Sequence, residues 1–250
     1  MGGAARNDKQ RRQAEAQARL RAAGISVPQK KKSSTPLIVV VVVLVVAMLI
    51  GGFVLYARNR STTPAAAVSP SYTTTASGAV VTAGKGKAVI DVYEDFLCPN
   101  CERFEARDGA AITAALNAGT LTVRYHAIAI LDRNTTPAGY STRAANAALC
   151  AAAANVFPAY HAALFAQQPA EGSAGLTDQQ LATLAPAGTS ADFATCVTSG
   201  RNAAAVTAET QKAVSDPNLQ TQGQFGTPTV AANGTKVNLN DSNWLKAITG

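Results

Sequence analysis

The stretch VYEDFLCPNCERF, residues 92–104, decides the fold of this chain. It begins inside KAVIDVYEDF (87–96), a run of β-branched and aromatic residues that predicts a strand. Pro99 predicts the first turn of a helix, because the N–H that proline lacks has no partner there, and Gly119 predicts its end. LTVRYHAIAIL (121–131) predicts a second strand. Strand, helix and strand at this spacing predict a βαβ unit with parallel strands.

The chain beyond this unit predicts a helical block over about residues 135–222. It ends with TPTVAANGTKVNL (227–239), which reads as two strands joined at Asn233–Gly234. That dipeptide suits the positive φ angles of a tight hairpin turn. Asp241 is then expected to cap a last helix.

The net charge of +7 belongs to the N-terminal tail. Residues 1–32 hold nine lysines and arginines against two acids, so the rest of the chain is neutral. The folded part therefore offers no global field for a polyanion such as nucleic acid. We expect a basic cytoplasmic tail, which serves as a topology signal or forms an amphipathic helix on anionic lipid.

Residues 33–57 carry no charge, and their central 20 residues, 37–56, are long enough to span the ~30 Å hydrocarbon layer. The apolar region of a cleaved signal peptide is shorter and follows a shorter basic start. This pattern favours an uncleaved transmembrane helix. The excess of lysine and arginine before the helix predicts a cytoplasmic N-terminus and an extracytoplasmic domain in the cell membrane.

A segment of serine, threonine, proline and alanine, residues 58–78, follows the predicted membrane helix. It has almost no large apolar side chains, a composition typical of a flexible linker. The folded domain is predicted over 79–250, which is long enough for a sizeable core.

The four cysteines, 98, 101, 150 and 196, admit three kinds of site. A zinc site is disfavoured because Cys150 and Cys196 form no second Cys-x-x-Cys knuckle. A structural Cys98–Cys101 bridge closes a short loop and stabilises little. A redox pair fits better, because a helix start favours the Cys98 thiolate and Cys101, one turn inside, is placed to resolve a mixed disulfide.

The strand ending in EDFLCPNC (94–101), with FGTPTV (225–230) far downstream, resembles the thioredoxin fold. The helical block between them resembles the DsbA-like thiol:disulfide oxidoreductases, in which a helical domain is inserted into the thioredoxin core. The alanine- and threonine-rich chain is similar to membrane-anchored actinobacterial members. The resemblance covers about residues 79–250 and implies an α/β thioredoxin fold with an inserted helical domain, preceded here by one transmembrane helix and a linker.

The resemblance also implies the roles of the site residues. Cys98 would be the nucleophile and Cys101 the resolving cysteine, separated by the dipeptide Pro99-Asn100 that tunes the redox potential. Pro228 would be a cis-proline facing the cysteines, and Thr227 would offer backbone contacts to a substrate strand.

Two departures from the family pattern affect this chemistry. Thioredoxin-like proteins often carry a buried carboxylate six residues before the first cysteine, where this chain has Val92. We expect Glu94, on the same strand face, to handle protons instead; the alternative is that Asp91, Glu94 and Asp95 are solvated charges at the strand end. Strong oxidants of the family often carry Pro-His, whereas Asn100 brings no charge.

Cys150 and Cys196 fall on two helices of the block. Buried free thiols are one interpretation, but an even pair outside the cell favours a structural disulfide, which similar actinobacterial proteins are expected to have. His126 and His161 are expected to be packed histidines rather than ligands or bases.

The function predicted is extracytoplasmic thiol-disulfide exchange, with the Cys98–Cys101 pair acting as a dithiol oxidase on secreted or envelope proteins. The alternatives are a reductase or isomerase using the same pair, and a non-catalytic peptide-binding module. No metal or organic cofactor is implied. Expected partners are reduced or unfolded secreted proteins and, by analogy with the family, a membrane reoxidase of the DsbB or VKOR type.

Overall fold

The computed structural model describes residues 69–250 together with tail positions 8, 11–12, 14–16, 18–19 and 22–23. The described tail positions up to 22 are helical and exposed. The predicted transmembrane segment, 33–57, lies outside the described residues, as does the linker up to residue 68. Among the residues that are described, no helix is long and apolar enough to cross a membrane.

One mixed sheet organises the described part of the chain from residue 69 onward, with the strand order β1-β2-β4-β3-β5-β6. Only the central β3–β4 pair is parallel, and the remaining neighbours pair antiparallel. The strands are β1 (Thr74–Ser77), β2 (Val80–Gly84), β3 (Ala88–Glu94), β4 (Leu121–Ala127), β5 (Thr229–Ala232) and β6 (Thr235–Lys236).

The predicted βαβ unit is confirmed. Helix α1 (Pro99–Asn117) connects the parallel strands β3 and β4. Gly119, with φ of +69°, adopts the left-handed conformation that ends the helix. Strand β4 stops at Ala127, whereas the sequence predicted a strand as far as Leu131. The apolar pattern continues past Ala127, but the backbone there bonds to side chains: Leu131 N donates to an Asp95 carboxylate oxygen at 2.9 Å.

The N-terminal hairpin β1–β2 corrects the predicted boundary at residue 79. Four residues assigned to the linker, Thr74–Ser77, form an edge strand paired with β2. The edge strand is mostly exposed, so it needs backbone hydrogen bonds rather than large apolar side chains. Strand β1 was therefore not predicted, because its composition is that of a linker.

The chain is fastened to the domain just before β1. Ser71 N donates to Asn117 Oδ1 at 2.7 Å, and Asn117 Nδ2 donates to the Ser69 carbonyl at 2.9 Å. Asn117 is the last residue of α1. The first residues of the described domain are therefore held at the C-terminal end of that helix.

The predicted helical block forms five helices in the described domain. The first of them, α2, is alanine-rich and almost wholly buried, and the helices α3, α5 and α6 pack around it. Small side chains allow that close approach. The five are α2 (Tyr140–Ala153), α3 (Phe157–Ala166), α4 (Asp178–Thr183), α5 (Ala191–Thr198) and α6 (Ala203–Ser215). Short 3-10 turns at Asp132–Asn134 and Pro217–Leu219 flank the block.

The C-terminal hairpin joins β5 to β6 at Asn233–Gly234, and both residues have positive φ as predicted. The last helix, α7 (Trp244–Thr249), begins after Asn243. Asp241 does not cap it. Its carboxylate instead accepts from Asn243 N at 2.9 Å, which forms a turn ahead of the helix.

Candidate active site

The two cysteines of CPNC lie at the start of α1, as the sequence predicted. Cys98 occupies the N-cap position with extended backbone, and Cys101 lies in the first turn. The Cys98 carbonyl accepts from Cys101 N at 3.0 Å and Glu102 N at 3.2 Å. Both side chains are free thiols in this structure. Cys101 is fully buried, and Cys98 retains 5% of its exposure.

The two thiols have opposite acidities. The Cys101 thiol stabilises negative charge on Cys98 most, followed by the Thr227 side chain and then by the backbone N–H groups of Cys101 and Asn100. Together they lower the pKa of Cys98 to about 6, against the opposing effect of burial. Burial raises the pKa of the Cys101 thiol well above its ordinary value, and the hydrogen bond to Cys98 adds to this. The pair therefore holds one thiolate, at the more accessible sulfur, and one thiol beneath it.

The segment before β5 lies directly over Cys98. The Thr227–Pro228 peptide bond is cis, as the resemblance implied. The Thr227 carbonyl oxygen is 3.3 Å from Cys98 Sγ and accepts from it when the thiol is protonated. The Thr227 hydroxyl is buried and has no hydrogen-bond partner while Cys98 is a thiol, but it stabilises the Cys98 thiolate and so lowers the pKa of Cys98. Thr227 thus brings both backbone and side-chain polar groups close to the reacting sulfur.

The two residues between the cysteines, Pro99 and Asn100, lie in different environments. Pro99 is partly buried at the first position of α1. Asn100 is exposed, and its amide oxygen accepts from the Arg103 guanidinium one turn along the helix. The Asn100 side chain is therefore engaged along the helix surface, while its backbone N–H contributes to the Cys98 environment.

Gln168 completes the support of the active-site loop, and sequence reasoning missed it. It follows α3, and its amide Nε2 donates to the carbonyls of Phe96 at 3.0 Å and Cys98 at 3.2 Å. These bonds join the inserted helices to the loop that carries Cys98. Gln168 is 70 residues from Cys98 in sequence, so no local pattern signals the contact.

Glu94 is buried behind the cysteines. It is 2% exposed, and Oε2 lies 2.9 Å from His161 Nε2 on α3. Glu105 on α1 lies beside it. Burial raises the pKa of both carboxyls to about 8. Burial lowers the pKa of His161. A role for Glu94 in proton handling stays a prediction, and Glu105 was not anticipated from the sequence.

The alternative of solvated charges at the end of β3 is wrong for all three acids. Asp95 is fully buried and accepts from Leu97 N and Leu131 N, each at 2.9 Å. Its role is to shape the loop before Cys98. Burial raises the pKa of Asp95 to about 6. Asp91 is also buried, at 7% exposure, and its side chain lies on the face of the sheet opposite to that of Glu94.

His126 is packed, as expected, but between two carboxylates. Its Nε2 lies 2.9 Å from Asp91 and its Nδ1 lies 2.7 Å from Glu209 on α6. Burial acts to lower the pKa of His126, but the hydrogen bonds with Asp91 and Glu209 raise it. Arg124 adds an ion pair to Asp91 at 2.5 Å. This network fastens α6 to the sheet and lies apart from the cysteines.

Cys150 and Cys196 form the predicted disulfide, which joins α2 to α5 with a Cα–Cα distance of 5.8 Å. Both residues are buried. The bridge closes a sequence separation of 46 residues inside the helical block. The alternative of two buried free thiols is therefore wrong.

Comparison with known proteins places this geometry in a family. A family model described as thioredoxin matches residues 75–249. The serine/threonine-protein kinase PknE of Mycobacterium tuberculosis is 32% identical over 180 residues, which make up 69% of this chain and 31% of the kinase. The chain thus spans about a third of the length of the curated relatives it matches.

Solved structures agree on the fold. Oxidised DsbA of Mycobacterium tuberculosis is 31% identical with a TM-score of 0.57, covering 72% of this chain and 93% of that one. Reduced DsbG, a disulfide bond oxidoreductase from the same organism, is 31% identical with a TM-score of 0.56, covering 75% and 89%. MdbA, a thiol-disulfide oxidoreductase from Corynebacterium matruchotii, supports the fold alone at 21% identity and a TM-score of 0.62, covering 72% and 92%.

The family model covers most of the described domain, and the cysteine pair, the cis-proline and the inserted helices all lie within the matched range. The chain belongs to the thioredoxin family, as a DsbA-like member of the thiol-disulfide oxidoreductases.

Proposed function

We propose that this chain catalyses thiol-disulfide exchange through Cys98 and Cys101 and acts as a dithiol oxidase on secreted or envelope proteins. The observation that carries the proposal is the asymmetry of the pair. A Cys98 pKa of about 6 stabilises the thiolate of the reduced enzyme, whereas Cys101 is held as a thiol. A stabilised reduced form makes the corresponding disulfide a stronger oxidant.

The exchange proceeds in two steps. A substrate thiolate attacks Cys98 Sγ of the oxidised pair, which breaks the Cys98–Cys101 bond, releases the Cys101 sulfur and forms a mixed disulfide. A second substrate thiolate then attacks the substrate sulfur of that mixed disulfide and displaces Cys98 as a thiolate. The substrate leaves with a new disulfide, and the enzyme keeps both electrons as a dithiol. The low pKa of Cys98 makes it a good leaving group in the second step.

The substrate would bind as an extended segment along the backbone before Pro228. The Thr227 carbonyl, 3.3 Å from Cys98 Sγ, supports this assignment because it lies where a peptide carrying the substrate cysteine must pass. Backbone contacts of this kind recognise many sequences, which suits an enzyme that acts on varied unfolded chains.

Glu94 is proposed as the proton-handling group for Cys101. The proposal is supported by its burial at the end of β3, four residues before Cys98, on the strand that leads into the active-site loop. Val92, where relatives often carry the acid, is fully buried and apolar here.

The domain is proposed to work outside the cell membrane, anchored by residues 33–57 with the N-terminus in the cytoplasm. The uncharged 25-residue segment and the basic tail support this topology. The Cys150–Cys196 disulfide supports an oxidising compartment. A membrane reoxidase of the DsbB or VKOR type would then return the reduced pair to the disulfide.

The redox potential of the Cys98–Cys101 couple tests the direction of exchange. Equilibration of the full chain with glutathione buffers should give a value near about −120 mV for an oxidant, whereas about −270 mV would identify a reductase. Cys98→Ser, expressed in the cell, tests the remaining alternative. If the variant retained full function, the chain would act as a peptide-binding module instead.

A further inference from the structure

Three side chains with metal-binding donors converge behind the redox pair. They are Glu94 from the end of β3, Glu105 from α1 and His161 from α3, and we refer to them as the Glu-Glu-His cluster. One donor atom from each lies within 4.8 Å of those from the other two. The three donors come from three elements that pack together, so the fold itself holds them in place.

Two oxygens of the cluster have no hydrogen-bond partner unless the two carboxyls share one proton. They are Oε1 of Glu94 and Oε1 of Glu105, both buried. Glu94 is 2% exposed. Within residues 69–250, no lysine or arginine forms an ion pair with either carboxylate; Glu94 contacts His161 and the Glu105 carboxyl. Buried carboxylates need a proton, a cationic side chain or a metal ion, and the cationic side chain is missing here.

A groove between α1 and α3 gives access to the cluster. Its volume is ≈ 550 Å³, and both Glu105 and His161 line it. Exposed residues such as Glu102 line it as well, so it opens to solvent on the helix surface. A hydrated cation therefore has a route inward, and water in the groove can supply the remaining ligands.

The imidazole is held in one orientation. The His161 ring packs against Phe96, Tyr125, Phe157 and Phe165, with ring centroids 5.1–5.7 Å apart. Its Nε2 lies 2.9 Å from Glu94 Oε2. Two ligand atoms, each about 2.0–2.1 Å from one cation, lie roughly 2.9–3.4 Å apart at octahedral or tetrahedral angles. That pair is thus already spaced as neighbouring ligands.

We propose that the Glu-Glu-His cluster is a binding site for one divalent transition-metal cation of the Zn²⁺ type. One imidazole nitrogen and two carboxylate oxygens form a donor set that suits Zn²⁺, with an open position for water. The proposal departs from the sequence-based expectation of no metal, because the donors are 11 and 56 residues apart and form no spacing motif. It is independent of the direction of thiol exchange, but a chain with metal bound would not use Glu94 as the proton-handling group for Cys101, because the coordinated carboxylate is held ionised.

The test uses the full chain with Cys98 and Cys101 joined as a disulfide, so that their sulfurs do not bind metal. After treatment with EDTA and its removal, equilibrium dialysis against Zn²⁺ is followed by atomic absorption. We expect one Zn²⁺ per chain, and Glu105→Gln should weaken binding by at least about tenfold. Glu102→Gln is the matched control: it makes the same change on the same helix and groove, outside the cluster, and should leave binding unchanged.

Cobalt substitution identifies the ligands independently of any variant. Bound Co²⁺ should show the visible bands of nitrogen and oxygen coordination without sulfur charge-transfer absorption. The proposal is overturned if the wild-type chain retains no stoichiometric metal, which would leave the cluster holding a shared proton only. It is overturned equally if Glu105→Gln, shown to be folded by circular dichroism, binds as tightly as Glu102→Gln. If Glu105→Gln does not fold, the cobalt spectrum of the wild-type chain is the test. The absence of bands from nitrogen and oxygen coordination would then overturn the proposal.

Discussion

The two cysteine pairs of this domain occupy contrasting surroundings. Cys98 and Cys101 lie at a helix start, where one sulfur is stabilised as a thiolate and the other is buried as a thiol. Cys150 and Cys196 lie between two packed helices and form a closed bridge. We propose that the same side-chain chemistry serves exchange in one place and stability in the other. The two pairs differ in the hydrogen bonds around their sulfur atoms and in whether another molecule can reach those atoms.

The largest expected effect comes from removing the nucleophile. Cys98→Ser should lower the rate of disulfide transfer to a reduced peptide by at least about 10³-fold, because the attacked sulfur is lost. Fluorescence of a labelled dithiol peptide measures the rate. The matched double variant Cys150→Ser/Cys196→Ser should keep most of the activity. Comparable losses in the two variants would contradict the division of roles between the pairs.

The second effect concerns stability. Replacing Cys150 and Cys196 together by alanine should lower the free energy of unfolding by up to about 4 kcal/mol, since the bridge closes a 46-residue separation. Urea denaturation followed by circular dichroism measures the change. The Cys98 pKa of the variant should remain near that of the unmodified chain. A stability loss below about 1 kcal/mol would mean that packing around α2 holds the block without the bridge.

The third effect is the titration of the Cys98 thiol, which distinguishes the redox pair from the disulfide pair. Because the folded pKa of Cys98, about 6, is lower than that of an unfolded cysteine, near 8.5, thiolate formation stabilises the folded reduced enzyme. That stabilisation is fully present above about pH 8.5 and is lost as pH falls through 6. The ultraviolet absorbance of the thiolate should titrate near pH 6 in the reduced chain and not in Cys98→Ser. Titration at 8.5 or above would refute an activated nucleophile.

The smallest effect tests the link between the inserted helices and the redox loop. Gln168→Ala removes the donor to the Phe96 and Cys98 carbonyls and should cost about 1 kcal/mol of stability, with a several-fold change in exchange rate. Gln167→Ala, at the exposed neighbouring position, is the control. If both variants behaved alike, the loop would be held by its own backbone hydrogen bonds and by Asp95.

Local signals in the sequence predicted the elements that carry the site. Pro99 and Gly119 marked the helix, and the apolar runs on either side of it marked the parallel strands. The Asn233–Gly234 turn followed from its backbone preference. The helix boundaries, the strands and the turn depend on residues close together in the chain, so they can be predicted from the amino-acid sequence.

Contacts that depend on tertiary packing could not be predicted in this way. Burial of Glu94, Asp95 and the Glu105 Oε1 atom contradicts the ordinary expectation for acids, because it depends on segments far away in the sequence that pack against them. Gln168 reaches the redox loop across a large sequence separation. Strand β1 escaped prediction because an edge strand is stabilised by its partner's backbone.

The attachment of Asn117 to Ser69 and Ser71 fixes where the chain enters the folded domain. Helix α1 has 19 residues and is therefore about 28 Å long, with Cys98 at one end and the fastened N-terminal segment at the other. Under the proposed membrane anchor, a tether acting on residue 69 would pull at the end remote from the sulfur. The thiol end of the domain would then stay free to meet the proposed unfolded substrates, and lengthening the tether would widen the volume it searches without altering its chemistry.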